Sequence, residues 1–216
     1  PTIGGGLPQP ETNLVRGPDG IIRFTNLRVA APSLTLAGGG MRRRDGTFLF
    51  EGNGRHADYG PLTLTVDGRI DRPQLAIRLE RPVDALGLSS VLLNLEPNAI
   101  GYAWRAEGGS ALGPFTGNGA ILLPAGQPAS FQVAPLNVSG TRASGALRSD
   151  PGGFTGRLDV DGGGLTGRLL FNPVEGRQRI GVGLTANGAS FAGPPPLGVR
   201  RGTINGVVLL DPARTS

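Results

Sequence analysis

The chain of 216 residues contains 38 Gly and 19 Pro, with 5% aromatic and 17% charged residues. Interior Gly and Pro cost a helix about 1 and 3 kcal/mol each, which excludes a long helical bundle, and the aliphatic content with so little charge excludes a solvated disordered tail. All 21 basic residues are Arg and the net charge is +5. Apart from Arg42-Arg43-Arg44 and Arg200-Arg201 they are scattered and lack interleaved aromatic platforms, which argues against a nucleic-acid partner.

There is no Cys, so disulfide frameworks, thiolate catalysis and Cys-based zinc sites are excluded. No run approaches 18 apolar residues. The chain opens at Pro1 and stops at Ser216 without a closing element, and is expected to be a piece of a longer protein.

Residues 1–20, with Gly4-Gly5-Gly6 and Asp19-Gly20, read as an irregular Gly/Pro-rich leading segment. From 21 to 216 the chain reads as one continuous β segment with no compositional break. Thr47 to Phe50 alternates and leads into Glu51-Gly52-Asn53-Gly54, then Leu62 to Val66 runs into Asp67-Gly68. Leu75 to Leu79 alternates after Arg72-Pro73, while Pro82 to Ser90 lacks alternation and is the best candidate for a short helix. Leu93 and Leu95 mark another strand. The pattern returns at 120–123, 130–133, 155–160, 166–171, 179–185 and 203–210. About a dozen strands joined by short turns predict an all-β antiparallel meander.

Candidate chemistry is sparse. Gly162-Gly163-Gly164-Leu165-Thr166-Gly167 has the letters of a dinucleotide loop, but an alternating strand follows it where that fold needs a helix. It reads as a hairpin. His56, the only histidine, sits in a polar turn beside Asp58; Asp159 and Asp161 share a solvated strand face. No paired carboxylates or ligand spacing suit a metal. No catalytic, cofactor or metal site is expected.

The informative feature is an apolar stripe. One parity carries Leu62, Leu64 and Val66, then Leu75, Ile77 and Leu79. It continues in Ile121 and Leu123, Phe131 and Val133, Leu158 and Val160. Leu169 and Phe171, then Ile180, Val182 and Leu184, complete it. A sandwich core would produce such a stripe. Two features pull against that: the stripe is nearly all aliphatic, and the other parity stays monotonously Thr, Arg, Ser and Gly.

The phrase Asp67 to Leu79, with Gly68, Pro73, Leu75 and Leu79 in order, resembles the recurring repeat of TamB-type proteins of the bacterial AsmA-like group. Gly113 to Pro124 and Gly163 to Leu169 continue the resemblance. It implies a long sheet rolled lengthwise into an open, taco-like groove with an aliphatic interior, lined by the residues of the stripe. It also implies a non-enzymatic periplasmic bridge carrying phospholipid between inner and outer membranes, linked to outer-membrane biogenesis. The inner-membrane anchor and the segment that meets an outer-membrane barrel partner are expected outside these residues. A dozen strands at about 4.8 Å would give a groove roughly 60 Å long. Two other readings remain: a chaperone-like or structural module that pairs client strands along its edges, and a closed β-sandwich passenger domain.

Overall fold

The structure, a computed structural model, describes residues 13–57, 59–82, 87–191 and 197–210. Among them there is no helix. Seven strands come first: β1 (Asn13–Arg16), β2 (Ile22–Ala31), β3 (Leu34–Arg42), β4 (Phe48–His56), β5 (Gly60–Arg69), β6 (Arg72–Leu79) and β7 (Ser89–Asn98). Then follow β8 (Gly101–Ser110), β9 (Gly113–Leu122), β10 (Ser130–Val138) and β11 (Thr141–Asp150). The last four are β12 (Gly153–Gly162), β13 (Leu165–Val174), β14 (Arg177–Phe191) and β15 (Leu197–Leu210).

All fifteen strands form one sheet in sequence order, and β1 does not pair with β15, so the sheet is an open antiparallel meander. Two-residue turns make this possible. Ser139-Gly140, Gly163-Gly164 and Glu175-Gly176 all have positive φ at both residues, the twist that a tight antiparallel hairpin requires. The Gly162–Gly167 run is therefore a hairpin between β12 and β13.

The sequence reading differs at several places. Asn13–Arg16 lies inside the leading segment read as irregular, yet pairs with Arg16 opposite Ile22 and Leu14 opposite Phe24. The alternation read at Thr47 to Phe50 extends through Gly52 and Gly54, which lie within β4, and β5 continues two residues past Asp67. Of the candidate helix at Pro82 to Ser90, residues 83–86 lie outside the described residues; Ser89 and Ser90 already belong to β7.

The chain divides into two compact units, residues 1–84 with 89–94 and residues 85–88 with 95–216. The first unit contains β1 to β6, in which cross-strand partners build rows of side chains on one face. Nearest the β5–β6 turn the row is Arg16, Ile22, Arg42, Phe48, Gly68 and Pro73. The next is Leu14, Phe24, Gly40, Phe50, Val66 and Leu75. Behind it come Leu27, Gly38, Gly52, Leu64 and Ile77, then Val29, Leu36, Gly54, Leu62 and Leu79. Phe24 and Leu27 share this face although three apart, because a bulge sets Thr25 and Asn26 against Gly39 alone.

The second unit repeats the device from β8 to β15. One row runs Tyr102, Ile121, Phe131, Leu147, Gly156, Phe171, Ile180 and Val208. Beside it run Trp104, Gly119, Val133, Gly145, Leu158, Leu169, Val182 and Gly206. A third carries Ala106, Gly117, Leu136, Ala143, Val160, Gly167, Leu184 and Ile204.

Glycine in these rows is a slot for a large neighbour. A Cβ on Gly117 would lie 3.1 Å from the Trp104 ring, and one on Gly38 would lie 2.9 Å from the Phe50 ring. Trp104 uses its slot to reach across β9, where its indole N–H donates to the Gln132 carbonyl at 3.0 Å. Among the described residues, buried side chains gather into a core at one end of the second unit. There Val160, Leu165, Ala186 and Ala189 are buried, with Ala143, Leu169, Leu184 and Val199 packed against them.

Candidate functional site

The site that this folding creates is the apolar face itself. In the first unit the register places Leu62, Leu64 and Val66 directly against Leu79, Ile77 and Leu75. In the second it places Ile121, Phe131, Val133, Leu158, Val160, Leu169, Phe171, Ile180, Val182 and Leu184 on one face. Leu123 is the exception. β9 ends at Leu122 because Pro124 has no N–H to donate; Leu123 lies just past it, 51% exposed, its N–H bonded to the Ile100 carbonyl.

Most of these side chains are half-buried; only Leu158 and Val160 among them are buried, and no large described side chain is fully sequestered. The sandwich reading requires the opposite, since a sandwich covers one sheet with another and buries the inner faces of both. In the second unit the rows from Tyr102 to Ile180 and from Trp104 to Val182 contain no charged residue at all. The arginines and aspartates of β11 to β13 lie on the opposite parity, with Arg142 facing Asp161 and Asp159 facing Arg168.

The first unit concentrates the face into a cavity of about 420 Å³ whose lining includes Leu14, Phe24, Phe48, Phe50, Val66 and Pro73. A flat sheet would hold β1 and β6 about 24 Å apart at the usual strand spacing. Leu14 of β1 and Pro73 of β6 line the same hollow, so this part of the sheet curls about its apolar side. Phe24 and Phe50 stack across Gly40, their ring centroids 6.5 Å apart. Sequence reasoning missed Leu14, Phe24 and Phe50. The signal was present in Phe48-x-Phe50-x-Gly52-x-Gly54, once glycine is counted as part of the apolar parity.

The rim beside this cavity is charged and largely self-neutralised. Asp19 accepts from Arg23 at 2.7 Å, Asp67 from Arg43 at 2.7 Å and Asp71 from Arg69 at 2.9 Å. Each of these arginines holds its partner's carboxyl below the ordinary value, chiefly through the hydrogen bond. Asp45 is lowered too, by the N–H and hydroxyl of Thr47. Elsewhere, His56 stacks on Tyr59 at 4.8 Å, while its neighbour Asp58 lies outside the described residues. Among the described residues no three His, Asp or Glu side chains gather as a metal site would require.

No protein family, curated protein or solved structure matches this chain.

Proposed function

We propose that the chain is a non-enzymatic segment of a periplasmic bridge whose apolar face carries phospholipid acyl chains between the inner and outer membranes. The observation that supports this reading is the continuity of half-exposed aliphatic rows from strand to strand within each unit. Each acyl CH₂ removed from water there gains about 0.8 kcal/mol. The attraction is non-directional, so a chain held on one row is also held on the next. The periplasmic setting, the outer-membrane barrel partner and the link to outer-membrane biogenesis rest on the repeat phrases of the sequence. Native mass spectrometry with lipid extraction tests the reading. Phospholipid should co-purify, and Leu64→Asp, Ile77→Asp and Val182→Asp together should abolish it without loss of β circular dichroism. A lipid-free, cooperatively folded chain that these substitutions unfold would refute it.

A second reading, a module that pairs client strands, draws on β15. This 14-residue edge strand exposes Val207 and Leu209 on one face and Ile204, Val208 and Leu210 on the other, and an exposed apolar edge is a template for further pairing.

A further inference from the structure

The row nearest the β5–β6 turn in the first unit breaks the rule that the apolar face is uncharged. Arg16 and Arg42 stand on that face, on either side of Ile22. They lie two strand spacings apart, about 10 Å between backbones. Each adjoins the cavity: Arg16 follows Leu14 two residues along β1, and Arg42 sits directly opposite Phe48.

Both arginines are exposed, and neither has an ion pair or hydrogen bond among the described residues, in contrast to the neighbouring arginines. Among the described residues no carboxylate of the rim pairs with either of them. Asp19, Asp67 and Asp71 are held by Arg23, Arg43 and Arg69, while Asp45, bonded to the neutral Thr47, keeps its charge. Arg44 adds a further positive charge, its Nε donating to the neutral Asp19 carbonyl. Among the described residues the mouth of an apolar hollow thus carries a net positive charge, with Arg16, Arg42 and Arg44 against Asp45 alone, and the planar forks of the first two match phosphate oxygens.

We infer that this rim is a headgroup site for an anionic diacyl phospholipid, with the phosphate between Arg16 and Arg42 and an acyl chain in the adjoining cavity. The inference rests on the lipid-carrying reading and adds a selectivity to it. Charge complementarity decides the occupant: a zwitterionic headgroup brings its own cation to a site that already has too many. The apolar hollow decides against a free phosphate, which gains nothing from Leu14, Phe24 and Phe48.

The test offers the purified chain vesicles of equimolar phosphatidylglycerol and phosphatidylcholine with identical acyl chains, then re-isolates it and quantifies bound lipid. Enrichment of the anionic lipid on the order of tenfold at low salt is expected, from two arginines near an anionic headgroup, falling as salt is added. The double variant Arg16→Gln, Arg42→Gln should bind the two lipids equally and keep its circular dichroism. Arg142→Gln with Arg168→Gln removes the same charge from the polar face of the second unit and should leave enrichment intact. Inorganic phosphate should displace no more lipid than sodium chloride of equal ionic strength; greater displacement would show a free-anion site and overturn the inference. Undiminished enrichment in the Arg16/Arg42 variant would overturn it too. Equal binding of both lipids by the unaltered chain would overturn it while leaving the lipid-carrying reading standing. A chain that takes up neither lipid would end both.

Discussion

Ile77 and Leu158 are both aliphatic residues on an apolar face, but Ile77 is half-buried in the first unit and Leu158 is 6% exposed in the second. Replacing each by Asp distinguishes an open face from a closed core. Fully burying such a side chain is worth about 1.5–3 kcal/mol. Ile77 stands to lose roughly half of that, plus up to about 1 kcal/mol of strand preference. Its carboxylate stays in water, so Ile77→Asp should cost about 1–2 kcal/mol. Leu158→Asp loses nearly the whole burial term, and its carboxylate sits between Gly145 and Leu169 with no donor opposite. An unpaired buried charge adds several kcal/mol, for a total of about 5 kcal/mol or more, comparable with the stability of an entire domain. Urea titration followed by circular dichroism measures both, with the two units permitted separate transitions. If Ile77→Asp proves as damaging as Leu158→Asp, something covers the first unit's face in solution, and the open-face reasoning fails.

Trp104 is the only tryptophan and lies on the apolar face beside Gly117 and Gly119, so lipid with brominated acyl chains should quench it strongly. Unchanged fluorescence at saturating lipid would keep acyl chains off the second unit. Gly156 has φ 148°, and a Cβ there would strike the Ala146 carbonyl and approach Leu147 Cα at 2.9 Å; Gly156→Ala should cost about 2 kcal/mol. Gly206→Ala, where nothing lies within 4 Å, should be neutral or stabilising by a few tenths of a kcal/mol, and thermal melts compare the two. The carboxyls of Asp19, Asp67 and Asp71 should titrate below their ordinary 3.8. Because their folded pKa values are depressed, these pairs stabilise the rim at neutral pH, and that contribution is lost as pH falls through the folded values. Carbon-13 NMR should show Arg43→Gln returning Asp67 toward 3.8 while Asp19 and Asp71 stay low. Val207→Lys with Val208→Lys should suppress any self-association through β15, read by sedimentation; undiminished association would place the contact elsewhere.

Where one strand face is mostly large and apolar, the fold was legible: β5, β6 and β12 to β14 alternate cleanly, and their stripe residues meet in register. Strands β2, β3, β8 and β11 were not, for a reason that single-strand patterns cannot contain. Their apolar positions hold whatever the neighbouring strand leaves room for. Gly38 and Gly40 make room beside Phe50, and Ala143 and Gly145 sit opposite Val160 and Leu158. In β2 the bulge with Asn26 at φ 58° moves the parity by one, so Phe24 and Leu27 appear out of phase until the ladder is known. The arginine pair was hidden for the same reason: Arg42 looked like part of a basic triplet, and only its register opposite Ile22 and Phe48 puts it on the apolar side.

The arrangement of rows also bears on how a bound chain would move. Rows cross the strands, so travel along the meander passes from one strand to the next every 4.8 Å or so. From β8 to β14 each step meets an aliphatic, aromatic or glycine position in the rows of Tyr102 and Trp104. On the lipid-carrying reading, an acyl chain that left one contact would meet another apolar position, Leu158 excepted because it is already buried, and no charged side chain would have to be desolvated on the way. A surface of this kind would hold lipid without fixing it. Headgroup charge would fix it, and the first unit places Arg16 and Arg42 at the edge of the face, where a lipid phosphate would reach them from water while the tails stayed on the rows behind.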